Sequence, residues 1–315
     1  MVSVLIVLQS VGMVANNVFV GTDRMDRNAL IMVLQSLVKL VVAPLLIVLG
    51  FGVVGALVGH IMSYVVGVLV ALVFLLPIYR EYRHSSGSGD FRVGFTDGVA
   101  MMIRYGFPIY FSGLLMSFVA QYGMLVMAWF VTDFEIGNYR AASNFLSILG
   151  VLMVPVSTAL FPAFSKFRLE DERGLLREFF GYSQKYVFLL LFPSVLFLLL
   201  VSRDLVFLLY GSEYVLAPVY LCLLSAMYLF NGLVLIVLSF FNGVGLPGFT
   251  VRAVVAYCVV AVPLIYVLTM WYGVVGLIIG TAVGWFVSLV YGAVSYTHLR
   301  AHETSLHLVC RLLLE

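Results

Sequence analysis

Charge is scarce in this sequence: Asp, Glu, Lys and Arg make up 10% of 315 residues, against 63% hydrophobic residues. Soluble globular domains carry roughly 25% charged residues, so an ordinary soluble domain is excluded. Cysteine is scarce too, and Cys222, Cys258 and Cys310 offer no disulfide framework. There is no basic run suited to nucleic acid, and a net charge of +2 names no charged partner. A nucleotide-binding loop, a metal motif in the body of the chain and a nucleophile–base pair are all missing. The chain therefore reads as a non-enzyme that needs neither cofactor nor metal. No basic residue precedes the first apolar run, so the chain does not open on a cleavable signal pattern.

What is present is a series of apolar runs near the length that crosses a ~30 Å hydrocarbon core as a helix. Backbone groups in lipid must be paired internally, which leaves helices or a closed barrel. The runs are continuous rather than alternating, which rules out the barrel. Nine spans are expected, at about 2–20, 29–50, 53–78, 105–130, 138–162, 182–201, 215–240, 251–271 and 273–294. The fold class is all-α, polytopic membrane protein.

Lys and Arg fall unevenly between the connections. The odd-numbered ones hold Arg24, Arg27, Arg80, Arg83, Arg92, Arg104, Lys166, Arg168, Arg173, Arg177, Lys185 and Arg252, and the even-numbered ones only Arg140 and Arg203. Positive residues mark the cytoplasmic side, so the odd connections face the cytoplasm. The first residue then lies on the outer side.

One apolar phrase occurs twice. GVVGALVGH (52–60) returns as GVVGLIIGT (273–281), each after an aromatic residue, and the match extends back to Pro44 and Pro263 with two extra residues in the second copy. Spans 2 and 3 thus resemble spans 8 and 9. Internal repeats build many secondary transporters. A period of six spans preserves orientation, so the repeats are parallel, and two halves of six make twelve. Three helices are expected to precede Met1.

Four further phrases point the same way: EIGNYRAASNF (135–145), ALFPAFSKF (159–167), LLYGSEYVLA (208–217) and FNGVGLP (241–247). In this order and spacing they resemble the multidrug/oligosaccharidyl-lipid/polysaccharide flippase superfamily, in its polysaccharide-transporter, O-antigen flippase-like branch. The resemblance covers about residues 1–294. It implies two six-helix bundles and a role in moving a lipid-linked oligosaccharide, of the polyprenyl phosphate or pyrophosphate type, across the cytoplasmic (plasma) membrane by alternating access. Polysaccharide-assembly proteins are the implied protein partners, and membrane lipids surround the chain. A cation-coupled multidrug antiporter of the same superfamily and a non-transporting membrane scaffold are the alternatives. The family helix matching span 4 often carries a central acidic residue, whereas Gln121-Tyr122-Gly123 stands here, which puts cation coupling through that position in doubt.

Lys39 is the sharpest candidate for substrate binding, because a charge near mid-span costs at least ~2.5–3.5 kcal/mol and no span core holds an acidic residue. It either faces a polar cavity and meets the substrate pyrophosphate, or snorkels to the headgroups, or pairs with a residue of the helices expected before Met1. Gln35 lies one turn earlier on the same face. Gln9 and Asn16, seven residues apart, share a face of span 1. These two, and Gln121 in span 4, either line a cavity or bond between helices. Arg104 and Arg140, at the cytoplasmic and outer ends of spans 4 and 5, attract phosphate or anchor the helices. His60 reads as a hydrogen-bonded structural histidine, with a protonation role as the alternative.

The domains expected are 1–80, the remainder of the first bundle; 81–90, a cytoplasmic linker; 91–294, the second six-helix bundle; and 295–315, a tail resembling translated sequencing adapter. The metal-like spacing of His298, His302, His307 and Cys310 is set aside with that tail. Residues 164–185 are expected to form a short amphipathic helix on the membrane surface.

Overall fold

The computed structural model describes residues 2–22, 24–85, 95–167 and 173–312, with side chains left out at 2, 81–85, 95, 173 and 298–312. Residues 86–90 of the expected linker and His298, His302, His307 and Cys310 thus fall outside the described side chains. The described residues are helical: α1 Val2–Gly21, α2 Met25–Leu46, α3 Gly52–Ser85, α4 Phe95–Phe130, α5 Asp133–Ser165, α6 Arg173–Tyr210, α7 Ala217–Gly243 and α8 Pro247–Leu312. A π-helical segment, Ile47–Phe51, joins α2 to α3. Among the described residues, seven helical stretches are long and apolar enough to cross a membrane.

Two of the seven, Met25–Arg80 and Pro247–Thr297, run for 56 and 51 residues. Each is broken at the repeated phrase. Gly52 has φ 49° and ψ −132°, and Gly273 has φ 57° and ψ −135°. Two glycines 221 residues apart thus share a left-handed conformation that a side chain strains. After each break the chain runs back along itself. A Cβ on Gly59 would lie 2.6 Å from the Ala43 Cα, and one on Gly280 would lie 2.9 Å from the Ile265 nitrogen. Glycine is required there because the backbones approach too closely for a side chain.

The chain divides into two compact units, Met1–Val93 and Gly94–Glu315. In the first, Ala15 and Phe19 of α1 pack with Ile31 of α2 and Ala71 and Ile78 of α3. Arg27 donates to the Phe74 carbonyl at 3.2 Å and lies over its ring, tying α2 to α3. In the second unit, α7 is the central helix, packed against α5, α6 and α8. Its core gathers Val126, Phe145, Leu221, Val254 and Ile265.

Three boundaries differ from expectation. α5 begins at Asp133 rather than at 138, because Thr132 and Glu135 form a reciprocal capping box. α4 begins at Phe95 rather than at 105. The surface helix expected within 164–185 is not separate: residues 173–185 are the first turns of α6, which runs for 38 residues. Helical hydrogen bonding continues past the apolar boundary wherever no proline or glycine stops it, so counting apolar residues underestimates helix length.

Candidate functional site

The four phrases that carry the family resemblance join in pairs. Asn138, 2% exposed, accepts from the Leu216 and Ala217 backbone N–H groups at 3.1 and 3.0 Å. It also donates to the Phe134 carbonyl at 2.9 Å. An α5 side chain therefore caps the N-terminus of α7, satisfying donors that a helix start leaves unpaired. Asn144 donates to the Tyr210 hydroxyl at 3.0 Å, and Phe145 meets the Tyr210 ring edge-on at 5.8 Å. The first and third phrases thus form one clasp.

The second and fourth phrases form another. A Cβ on Gly243 would lie 2.7 Å from the Phe161 carbonyl oxygen, so α5 and α7 touch at backbone distance. Phe164 is fully buried against Phe179 and Phe240. Tyr105 donates to the Asn242 carbonyl at 2.5 Å, and Thr250 to the Asn242 side-chain oxygen at 2.7 Å. Gly245, at φ 81°, closes α7 by letting Leu246 N–H reach the Phe241 carbonyl, and Pro247 starts α8. These residues position helices, and neither the roles nor the pairing of Asn138 and Asn144 emerges from sequence.

The candidates for substrate contact divide between the units. Gln9, Asn16, Gln35 and Lys39 lie in the first, and Arg104, Gln121 and Arg140 in the second. In the first unit, Gln9 and Asn16 are half-buried at the margin of the α1 face that packs through Ala15 and Phe19. The Asn16 side-chain oxygen is buried without a hydrogen-bond partner among the described residues. Gln35 is half-buried, with its side chain occupying the space over Gly67. Lys39 is exposed, and no carboxylate pairs with it among the described residues. On α3, His60 follows Gly59, where a Cβ would lie 2.6 Å from the Cα of Ala43, one turn beyond Lys39, and its ring lies 5.4 Å from that of Tyr64. The imidazole makes no hydrogen bond among the described residues, contrary to the expected structural role. Burial had to be known to see this, since a histidine's spacing says nothing of its partners.

In the second unit Arg104, Gln121 and Arg140 are all exposed. Beside Gln121, Tyr122 stacks on Phe118 at 6.0 Å, and Phe130, two turns on, meets Tyr266 of α8 edge-on at 5.5 Å. A separate apolar groove of about 450 Å³ lies between α5 and α6, lined by Val156, Leu160, Phe179, Tyr182, Tyr186 and Leu190. No cluster of three metal-ligating side chains exists among the described residues.

Comparison with known proteins gives the context. The sequence model for the family described as polysaccharide biosynthesis protein matches residues 1–168. A curated relative, the probable low-salt glycan biosynthesis flippase Agl15 of Haloferax volcanii, is 23% identical over 176 residues, which is 56% of this chain and 37% of that protein. The aligned region thus spans little more than a third of that relative's length. Among solved structures, an outward-facing multidrug resistance MATE family transporter of the MOP superfamily superposes with a TM-score of 0.77 at 22% identity, over 94% of this chain and 66% of that one. A MOP superfamily transporter from Pyrococcus furiosus gives a TM-score of 0.72 at 22% identity, over 92% and 66%. At such identity the structural likeness establishes the fold.

Proposed function

The chain belongs to the polysaccharide biosynthesis protein family, and from that premise we propose that it moves a lipid-linked oligosaccharide across the cytoplasmic membrane by alternating access. We read the seven stretches among the described residues as nine crossings, which the breaks in the two long ones at Gly52 and Gly273 support. On this reading residues 1–80 are what remains of a first six-helix bundle and 91–294 are the second, joined by a cytoplasmic linker at 81–90, with 295–315 a non-native tail. The substrate is held by a polyprenyl phosphate or pyrophosphate carrier, and polysaccharide-assembly proteins are the partners.

The observation that carries the reading is Lys39: a cation within an apolar helix, exposed, with no carboxylate beside it among the described residues. A charge within a membrane-spanning segment that the protein does not neutralise marks a substrate path, and a phosphate supplies the missing counter-charge. Gln35, Gln9 and Asn16 add polar groups to that unit. Gln121, Arg104 and Arg140 are the candidate contacts of the second unit, with the two arginines meeting phosphate at the cytoplasmic and outer ends of spans 4 and 5.

The test places the substitution equivalent to Lys39→Ala in a full-length family member and asks whether it restores surface polysaccharide to a flippase-deficient strain. Loss of export with the protein still in the membrane is expected, and normal export overturns the reading. A cation-coupled multidrug antiporter fits the same fold. It normally uses a mid-span carboxylate, and none of the acidic residues lies in the middle of a described span. Drug-cation efflux in the same cells distinguishes the two.

A further inference from the structure

The two glycine hairpins, α2–α3 and the two arms of α8, share a backbone framework but not their side chains. Counted from the reversal glycine, His60 corresponds to Thr281, Tyr64 to Trp285 and Lys39 to Val260; counted from the proline, Lys39 corresponds to Cys258. On the second hairpin this flank is closed. Trp285 is 9% exposed and stacks on Tyr257 with ring centroids 4.3 Å apart. The Thr281 hydroxyl turns back to the Leu277 carbonyl at 2.8 Å. On the first hairpin the same flank carries Lys39, exposed and one turn before Ala43, whose Cα a Cβ on Gly59 would meet at 2.6 Å, with His60 next to that glycine and half-buried. Tyr64 braces the imidazole from one turn away, at 5.4 Å. Neither the ammonium nor the imidazole is used by the fold: among the described residues no carboxylate faces them, the ring makes no hydrogen bond, and α1, the other helix packed on α3, has no ionisable side chain. The second hairpin shows that this framework closes without either group.

We propose that His60, held by Tyr64, is a second anion-binding residue beside Lys39, and that the pair selects a diphosphate-linked lipid over a monophosphate-linked one. The inference rests on the reading that Lys39 meets substrate phosphate, and goes beyond it by assigning the second donor and its consequence for specificity. Two donors on adjacent helices address two phosphoryl groups. A monophosphate satisfies Lys39 and leaves the imidazole without a partner, so the difference in affinity between the two lipids is set at His60.

The test uses the full chain in lipid nanodiscs, with farnesyl diphosphate and farnesyl monophosphate as probes and titration calorimetry as the readout. The wild type is expected to bind the diphosphate about tenfold more tightly, the scale of one charge-assisted hydrogen bond. His60→Thr, which installs the residue of the second hairpin, lowers diphosphate affinity to the monophosphate level and leaves the monophosphate unchanged. His60→Asn, which keeps a side-chain N–H, recovers part of the preference. Lys39→Ala weakens both probes. Equal weakening of both probes by His60→Thr, or no weakening of either, overturns the assignment of His60 while the Lys39 reading stands. Failure of the wild type to bind either probe, or Lys39→Ala binding both normally, overturns the Lys39 reading and this inference with it.

Discussion

Asn138 makes three hydrogen bonds where α5 meets the start of α7. Its oxygen takes two N–H groups at the start of α7, and its amide returns to its own helix. Asn138→Leu leaves those two donors buried and unpaired, at about 1–3 kcal/mol per group. The thermal midpoint of the detergent-solubilised protein is expected to fall by several degrees, and an unchanged midpoint shows that water or lipid headgroups replace the side chain. Asn144→Ala removes an exposed residue's bond to the half-buried Tyr210 and is expected to cost about 1 kcal/mol. The phrase EIGNYRAASNF is visible in the sequence as a family mark, but its partners lie 66 to 79 residues away. No local periodicity records a contact at that distance. Lys39 differs because its oddity is local: a charge inside an apolar run is legible without a structure. His60 is not legible in that way, because its role depends on what its ring fails to touch.

At the level of helices, the hairpins depend on glycine in two distinct ways. Gly52 and Gly273 supply backbone angles, and Gly59 and Gly280 supply room. Gly52→Ala and Gly273→Ala are each expected to destabilise by about 1–3 kcal/mol through strain alone. Gly59→Leu pushes α2 and α3 apart and is expected to cost more, with loss of folded protein on size-exclusion chromatography. Gly113→Ala, at a site with open space and ordinary helical angles, is expected to leave the midpoint unchanged or slightly raised, since alanine favours helix. Equal effects at all these positions would mean that glycine acts here only through chain flexibility. The repeat was legible because only glycine meets both demands. The longer α4 and α6 were not, because an apolar count locates the edge of the membrane rather than the end of the helix.

For the whole molecule, the uneven distribution of Lys and Arg sets an orientation that can be measured directly. With the native cysteines replaced by serine, Ser212→Cys is expected to react with an impermeant maleimide in intact cells. Gly248→Cys is expected to react only after permeabilisation. Both sites are exposed, one between α6 and α7 and one at the start of α8. The reverse pattern inverts the topology and moves Arg104 and Arg140 to opposite mouths. Both clasps agree with a single alternation of sides, since each joins connections that the charge pattern assigns to one face.

Composition by itself determined that this is a helical membrane protein, because a chain so poor in charge has nowhere else to place its apolar surface and no other way to pair its backbone in lipid. The repeated glycines determined where the helices reverse, since backbone angle and close approach are properties of the residue itself. Only the tertiary structure decided which helix Asn138 caps, which phrases clasp, and that the imidazole of His60 meets the Tyr64 ring but has no hydrogen-bond partner among the described residues. Those facts depend on which faces meet across long stretches of chain. In a sequence that is apolar on nearly every face, hydrophobic pattern cannot choose among them, and the choice falls to small residues and isolated polar groups.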